Sequence, residues 1–241
     1  MSLADSLAVS FAFELQATHN IQLNFSKGRP DPNDIYYDDS ELSSKPLEIF
    51  PLIHGRGIQN LLELYNGAKN AYDIDYKILS FTKVIEYVAP TIANSNLNDC
   101  ILLKLKSPTV LHPTSSFVDE LGELFRKHQS DISKDSELIR LSVEKTITLS
   151  DIWNYLPAFI RPAKYSKIDD VDEANQSAII GTVCEAIYDT RNEIAHAKAN
   201  YTKKGKECPY DQKSVFVELL DFIAVRCIRW FALQPEDKRM I

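Results

Sequence analysis

Apolar residues recur at helical spacing along most of the chain. After Gly57, Ile58, Leu61, Leu62 and Tyr65 fall on one face and predict a helix. Tyr72, Tyr76, Leu79, Val84, Tyr87 and Val88 predict a second, ending near Pro90, because proline lacks the N–H and crowds the preceding turn. Ile101 to Leu105 is a short apolar run whose type the pattern leaves open. Phe117 to His128 and Ser136 to Ile147 read as amphipathic helices with charged outer faces. Leu149 to Ile160 is short and aromatic and is broken by Arg161-Pro162; residues 164–173 are polar and read as a loop. Two long helices follow, from about Asp172 to Lys198 and from about Gln212 to Leu233. The link between them carries Lys203, Lys204, Gly205 and Lys206.

The N-terminal stretch is less regular. Val9, Phe11 and Phe13, then Ile21, Leu23 and Phe25, alternate in part, and Thr18-His19-Asn20 could turn between two strands. The stretch from Leu7 to Leu15 fits a helix as well. Pro30, Pro32, Pro46 and Pro51 make residues 26–51 an irregular arm. The expected organisation is an all-α helical bundle over 56–241, preceded by an arm over 1–55 with room for a short β-hairpin.

Composition supports that class. Of 241 residues, 44% are hydrophobic and only 7 are glycine, which favours helices over a sandwich or barrel. The length allows one large domain, or a domain with an appendage. A net charge of −7 argues against a general nucleic-acid coat protein, so any contact with RNA or DNA needs a local basic patch. Cys100, Cys184, Cys208 and Cys227 are far apart and form no CxxC or zinc spacing, which reads as free thiols in a reducing cytoplasm. The start Met1-Ser2-Leu3-Ala4-Asp5 places an acid where a signal peptide needs bases. No apolar run approaches the roughly 20 residues that span a bilayer. P-loop, Rossmann, HExxH and GxSxG signatures are missing.

Chemistry concentrates at Arg191-Asn192, followed after three residues by His196. A permanent cation, an amide and the side chain that titrates near neutral pH thus lie within about a turn and a half of helix. Ile180, Val183, Ile187 and Ile194 share the apolar side of that helix. Glu185, Asp189, Asn192 and His196 follow a +4, +3, +4 pattern on a polar stripe, with Arg191 on its flank, where a long guanidinium can swing back. A polar stripe is most often a solvated face, which accounts for Glu185 and Asp189 better than for Arg191, Asn192 and His196. By composition alone such a pattern arises in about one chain in a hundred, so the helical context carries much of its weight.

Arg191-Asn192-Glu193-Ile194-Ala195-His196 resembles the RNxxxH signature of HEPN domains. Ile187-Tyr188-Asp189-Thr190 before it and Ala197-Lys198-Ala199 after it resemble the ApeA-like branch. Asp75-Tyr76-Lys77 through Ile85-Glu86-Tyr87 is similar to the helix that precedes the motif helix there. The resemblance covers residues 175–232, extends over 56–95, and does not include the first fifty residues.

It implies a helical bundle, often a homodimer with two motif helices facing each other, and a metal-independent endoribonuclease of defence or toxin type without a cofactor. His196 would then be the general acid or base, Arg191 the clamp on phosphate oxygens, and Asn192 the group that orients His196 or touches the phosphate. Glu185 and Asp189 would support the imidazolium if they lie near it. Lys198, Tyr201, Lys203, Lys204 and Lys206 could draw in an RNA backbone, although lysines after a helix often only cap its C-terminus. An antitoxin or an upstream sensor domain would be the further partner. Other HEPN proteins are non-catalytic modules for dimerisation or for binding nucleotides or partners. In that alternative the stripe would be buried in a seam, with Arg191 paired to Glu185 or Asp189 of a mate. A helical scaffold with an accidental motif is the third reading.

Overall fold

The computed structural model describes residues 3–23, 48–196 and 204–240, and among these every regular element is a helix. The eight α-helices of this part are α1 (Leu3–His19), α2 (Ile58–Asn70), α3 (Ile74–Leu105), α4 (Ser115–Ile132), α5 (Asp135–Thr146), α6 (Leu149–Ile152), α7 (Glu173–Ala195) and α8 (Lys213–Ala232).

Caps and periodicity explain the boundaries. The Asp73 carboxylate accepts from the Tyr76 N–H at 2.7 Å to start α3, and Asp172 accepts from the Asn175 N–H at 2.8 Å to start α7. Thr148 and Asp151 form a reciprocal capping box at α6. Burial pushes the Asp151 carboxyl up, but the Thr148 donors and Arg226 outweigh it and hold the group below its usual range. Thr148→Ala should remove about 1 kcal/mol of stability, read as a lower urea midpoint.

α3 is the central element and packs against α2, α4, α5, α7 and α8. Ile78, Phe81, Val84, Ile85, Val88 and Ile92 of α3 are buried with Phe216, Leu219, Leu220, Ile223 and Phe231 of α8 and Val183 and Ile187 of α7 in one continuous core. Each such aliphatic side chain contributes roughly 1.5–3 kcal/mol on burial. Trp153 and Phe231 belong to this core, Phe159 and Trp230 pack on its margin, and Tyr155 is exposed.

Apart from shifts of a few residues at helix ends, as in α4, three expectations change. The second helix does not stop at Pro90 but runs through it to Leu105, absorbing the apolar run Ile101 to Leu105. The lost backbone bond is outweighed by burial on both sides of the proline, at Val88, Ala89 and Ile92. The expected hairpin is absent from the described residues: Val9, Phe11 and Phe13 lie in α1, and Phe25 falls outside the description. A helix wins because it turns Ala12, Phe13 and Leu15 into the bundle together, with Phe13 edge-on to Tyr65 at 5.1 Å. The long C-terminal helix α7 ends at Ala195, not at Lys198, and His196 is its C-cap.

Gly55 shows where the chain needs a missing side chain. Its φ is +108°, and a Cβ there would fall 2.1 Å from Glu236 Oε1. The adjoining C-terminal turn is held by buried Arg239, which donates to the carbonyls of Ala232, Gln234 and Arg56.

Candidate functional site

The last turn of α7 carries the motif to the surface. Asn192 is buried, Arg191 is partly exposed, and His196 is exposed. The His196 N–H still donates to the Asn192 carbonyl at 2.9 Å, so the two residues remain one turn apart although His196 has left helical geometry. Arg191 does swing back: its Nη1 donates to Asn192 Oδ1 at 2.9 Å.

Packing of α7 on α3 and α5 surrounds the guanidinium with carboxylates. Arg191 Nε lies 3.5 Å from Glu86 Oε1 on α3, and Nη1 lies 3.5 Å from Asp135 Oδ2 at the start of α5. Glu86 Oε1 is buried and makes no hydrogen bond, so its contact with Arg191 is an ion pair rather than a directed bond. Burial pushes the Glu86 carboxyl up, Arg191 pulls it down, Asp135 adds to the rise and Lys83 opposes it; the net direction is upward.

A carboxyl with a raised pKa in the folded state binds its proton more tightly there than in the unfolded chain. Its contribution to stability is therefore present at low pH and is lost as pH rises from about 4.5 through the raised value. Glu86→Gln should flatten that decline in urea midpoints measured across pH 4 to 8. An unchanged slope would show that Glu86 does not produce it.

The polar stripe is solvated only in part, at Glu185 and His196. Asp189 and Asn192 are buried, while Glu185 is exposed. The two acids meet the returning loop: Lys204 Nζ is 3.2 Å from Asp189 Oδ1, and Lys206 Nζ is 3.6 Å from Glu185 Oε2. Lys204 also lies over the Tyr188 ring at 5.0 Å. Hydrogen bonding to Asp189 raises its pKa. The loop is tied down further by Glu207, which accepts from the N–H groups of Lys204 and Gly205, and by the Cys208 N–H, which donates to buried Thr190 Oγ1 at 2.8 Å. Lys198, Tyr201 and Lys203 lie outside the described residues.

Glu86 and Asp135 did not stand out in the sequence. Asp135 reads there as an ordinary acid in a first helical turn, favoured by the helix dipole. Only the crossing of α3, α5 and α7 brings either of them to Arg191.

Other chemistry is weaker. Burial pushes the thiols of Cys184, Cys208 and Cys227 up to about 12, so they are unsuited to nucleophilic work, while Cys100 is exposed. No group of three potential metal ligands occurs among the described residues. No described helix is long and apolar enough to cross a membrane. None of the motif residues lines the open groove of about 1020 Å³ between α1, α2, α3 and α8. On its wall Tyr65 Oη donates to Asp221 Oδ1 at 2.7 Å and Lys69 Nζ to Asp221 Oδ2 at 2.8 Å, whereas both amide atoms of buried Gln16 make no hydrogen bond.

No family model, curated protein or solved structure matches the chain.

Proposed function

We propose that the chain is an endoribonuclease of the HEPN type that cleaves RNA without a metal ion. The observation that carries this reading is the convergence of Arg191, Asn192 and His196 on one surface-facing helix end, with Asn192 holding the guanidinium and the imidazole exposed. RNA supplies its own nucleophile. The 2′-oxygen attacks phosphorus as its proton passes to a base, the P–O5′ bond breaks, and an acid protonates the departing 5′-oxygen. The products are a cyclic phosphate, or a 3′-phosphate after hydrolysis, and a 5′-hydroxyl.

His196 performs one of the two proton transfers, and Arg191 binds the non-bridging oxygens as charge builds on them. Glu86 acts as a positioning residue that holds the guanidinium from behind. An incoming phosphate competes with Asp135, the more exposed of the two carboxylates. A two-fold pair of chains, as the resemblance implies, would supply a second histidine for the other transfer. A role in defence, with an antitoxin or sensor as regulator, belongs to the same resemblance.

One observation favours a second reading, a non-catalytic interaction module. Arg191 is already matched by two carboxylates of its own chain, in a protein of net charge −7, so its site resists a polyanion. Incubating the purified chain with total RNA in excess EDTA separates the two. New 5′-hydroxyl ends support the nuclease, and intact RNA with a folded protein supports the module.

A further inference from the structure

The groove between α1, α2, α3 and α8 holds a polar group that the fold leaves unanswered. Gln16 of α1 lines it and is 2% exposed, yet neither its Nε2 nor its Oε1 makes a hydrogen bond among the described residues. Buried polar groups are ordinarily paired, because a donor or acceptor taken out of water without a new partner destabilises the fold. Asp221 of the same groove is already engaged, accepting from both Tyr65 and Lys69. A carboxamide carries an acceptor and a donor side by side in one plane. A group that satisfies both atoms of Gln16 at once therefore presents a donor beside an acceptor on a single edge.

The other walls narrow the class. Tyr155 and Phe222 line the groove as a stacked pair, with ring centroids 4.8 Å apart and planes 25° from parallel. Tyr72 lines it too and is fully exposed. Such faces suit a flat ring. Charge in the groove is balanced: Lys69 is taken up by Asp221, and Lys77 and Glu218 add one charge of each sign. A neutral ring is favoured over a phosphate-rich ligand. A volume of about 1020 Å³ leaves room for the groups attached to that ring.

We infer that the groove is a nucleobase site. Gln16 Oε1 accepts from the exocyclic amine of an adenine, Gln16 Nε2 donates to the adjacent ring nitrogen, and an aromatic face of the groove stacks on the base. A free nucleoside and a base of a single strand share this chemistry. Because Arg191, Asn192 and His196 do not line the groove, the site is independent of the ribonuclease reading.

The test is titration calorimetry of the full chain with adenosine up to about 5 mM, enough to reveal a Kd of about 1 mM. A 2′-O-methyl oligoadenylate is the second probe; its blocked 2′-oxygen keeps it intact even if the chain cleaves RNA. Adenosine should bind the wild type. Gln16→Met, which keeps the length of the side chain, should weaken binding at least about 10-fold, and so should N6,N6-dimethyladenosine on the wild type, which lacks the donor. Gln16→Met should at the same time raise the urea midpoint, because it removes two unpaired buried atoms; a glutamine with a purely structural role would lower it. Equal affinity for the two probes supports a free nucleoside as the source, and tighter binding of the oligomer supports a single strand. Failure of the folded wild type to bind either probe overturns the inference, and so does binding indifferent to Gln16→Met and to dimethylation. Binding of N-acetylphenylalanine N-methylamide with adenosine rejected would overturn it in favour of a peptide.

Discussion

His196→Ala should lower RNA cleavage by roughly 10²–10⁴ while leaving the fold intact, the range for loss of a general acid or base. The side chain is exposed beyond the last turn of α7, and no described neighbour depends on it for packing. The helix end itself is held by the backbone bond from the His196 N–H to the Asn192 carbonyl, which alanine keeps. A loss of activity therefore cannot be traced to a damaged core. The measurement is the single-turnover cleavage rate in excess EDTA, beside matching unfolding curves. Cleavage at the wild-type rate would remove His196 from the mechanism. Arg191→Ala is the less clean partner experiment, because it also strips Glu86 of its counter-charge.

Arg229→Met should destabilise the fold by about 3–5 kcal/mol at neutral pH, the range for breaking one side of a buried ion pair. The Glu14 side chain on α1 is 0% exposed and accepts from Arg229 Nη2 at 3.0 Å and Nη1 at 3.4 Å. Arg229 also lies over the rings of Phe50 at 4.2 Å and Phe13 at 5.7 Å. Methionine retains much of the apolar stem but leaves a carboxylate sealed in the bundle.

The pH dependence of that variant follows in sign. Burial already pushes the Glu14 carboxyl up, and Arg229, with a smaller part from Thr18, opposes the rise. Without Arg229 the folded-state pKa climbs further, so the variant regains stability as pH falls toward 4.5 and Glu14 takes a proton. Glu14→Gln combined with Arg229→Met should recover most of the loss at pH 7. Urea unfolding at pH 5 and pH 7 checks both statements, and a loss below about 1 kcal/mol at pH 7 would show that Glu14 finds another partner.

The division between the legible and the hidden can be traced residue by residue. α2 and α8 were readable because each buries one stripe: Ile58, Leu61, Leu62, Tyr65 and Ala68 in α2, Phe216, Leu219, Leu220 and Ile223 in α8. Local rules misled wherever burial outweighed them, as at Pro90 and in the alternation of Val9, Phe11 and Phe13. The candidate site divides in the same way. The motif and the return of Arg191 onto Asn192 are short-range, set by adjacent residues on one helix. Asp189 looked solvated on a helical wheel, yet the returning loop covers it and supplies Lys204, a contact between residues fifteen apart.

By itself the sequence determined the helical class, most helix positions and the motif's register on α7, because these follow from periodicity, caps and the spacing of adjacent side chains. Only the tertiary structure decided that Glu86 and Asp135 close on Arg191 and that Glu14 is sealed beneath Arg229. Those outcomes depend on how helices cross, and crossing is set by packing between segments far apart in the chain, which no local pattern encodes.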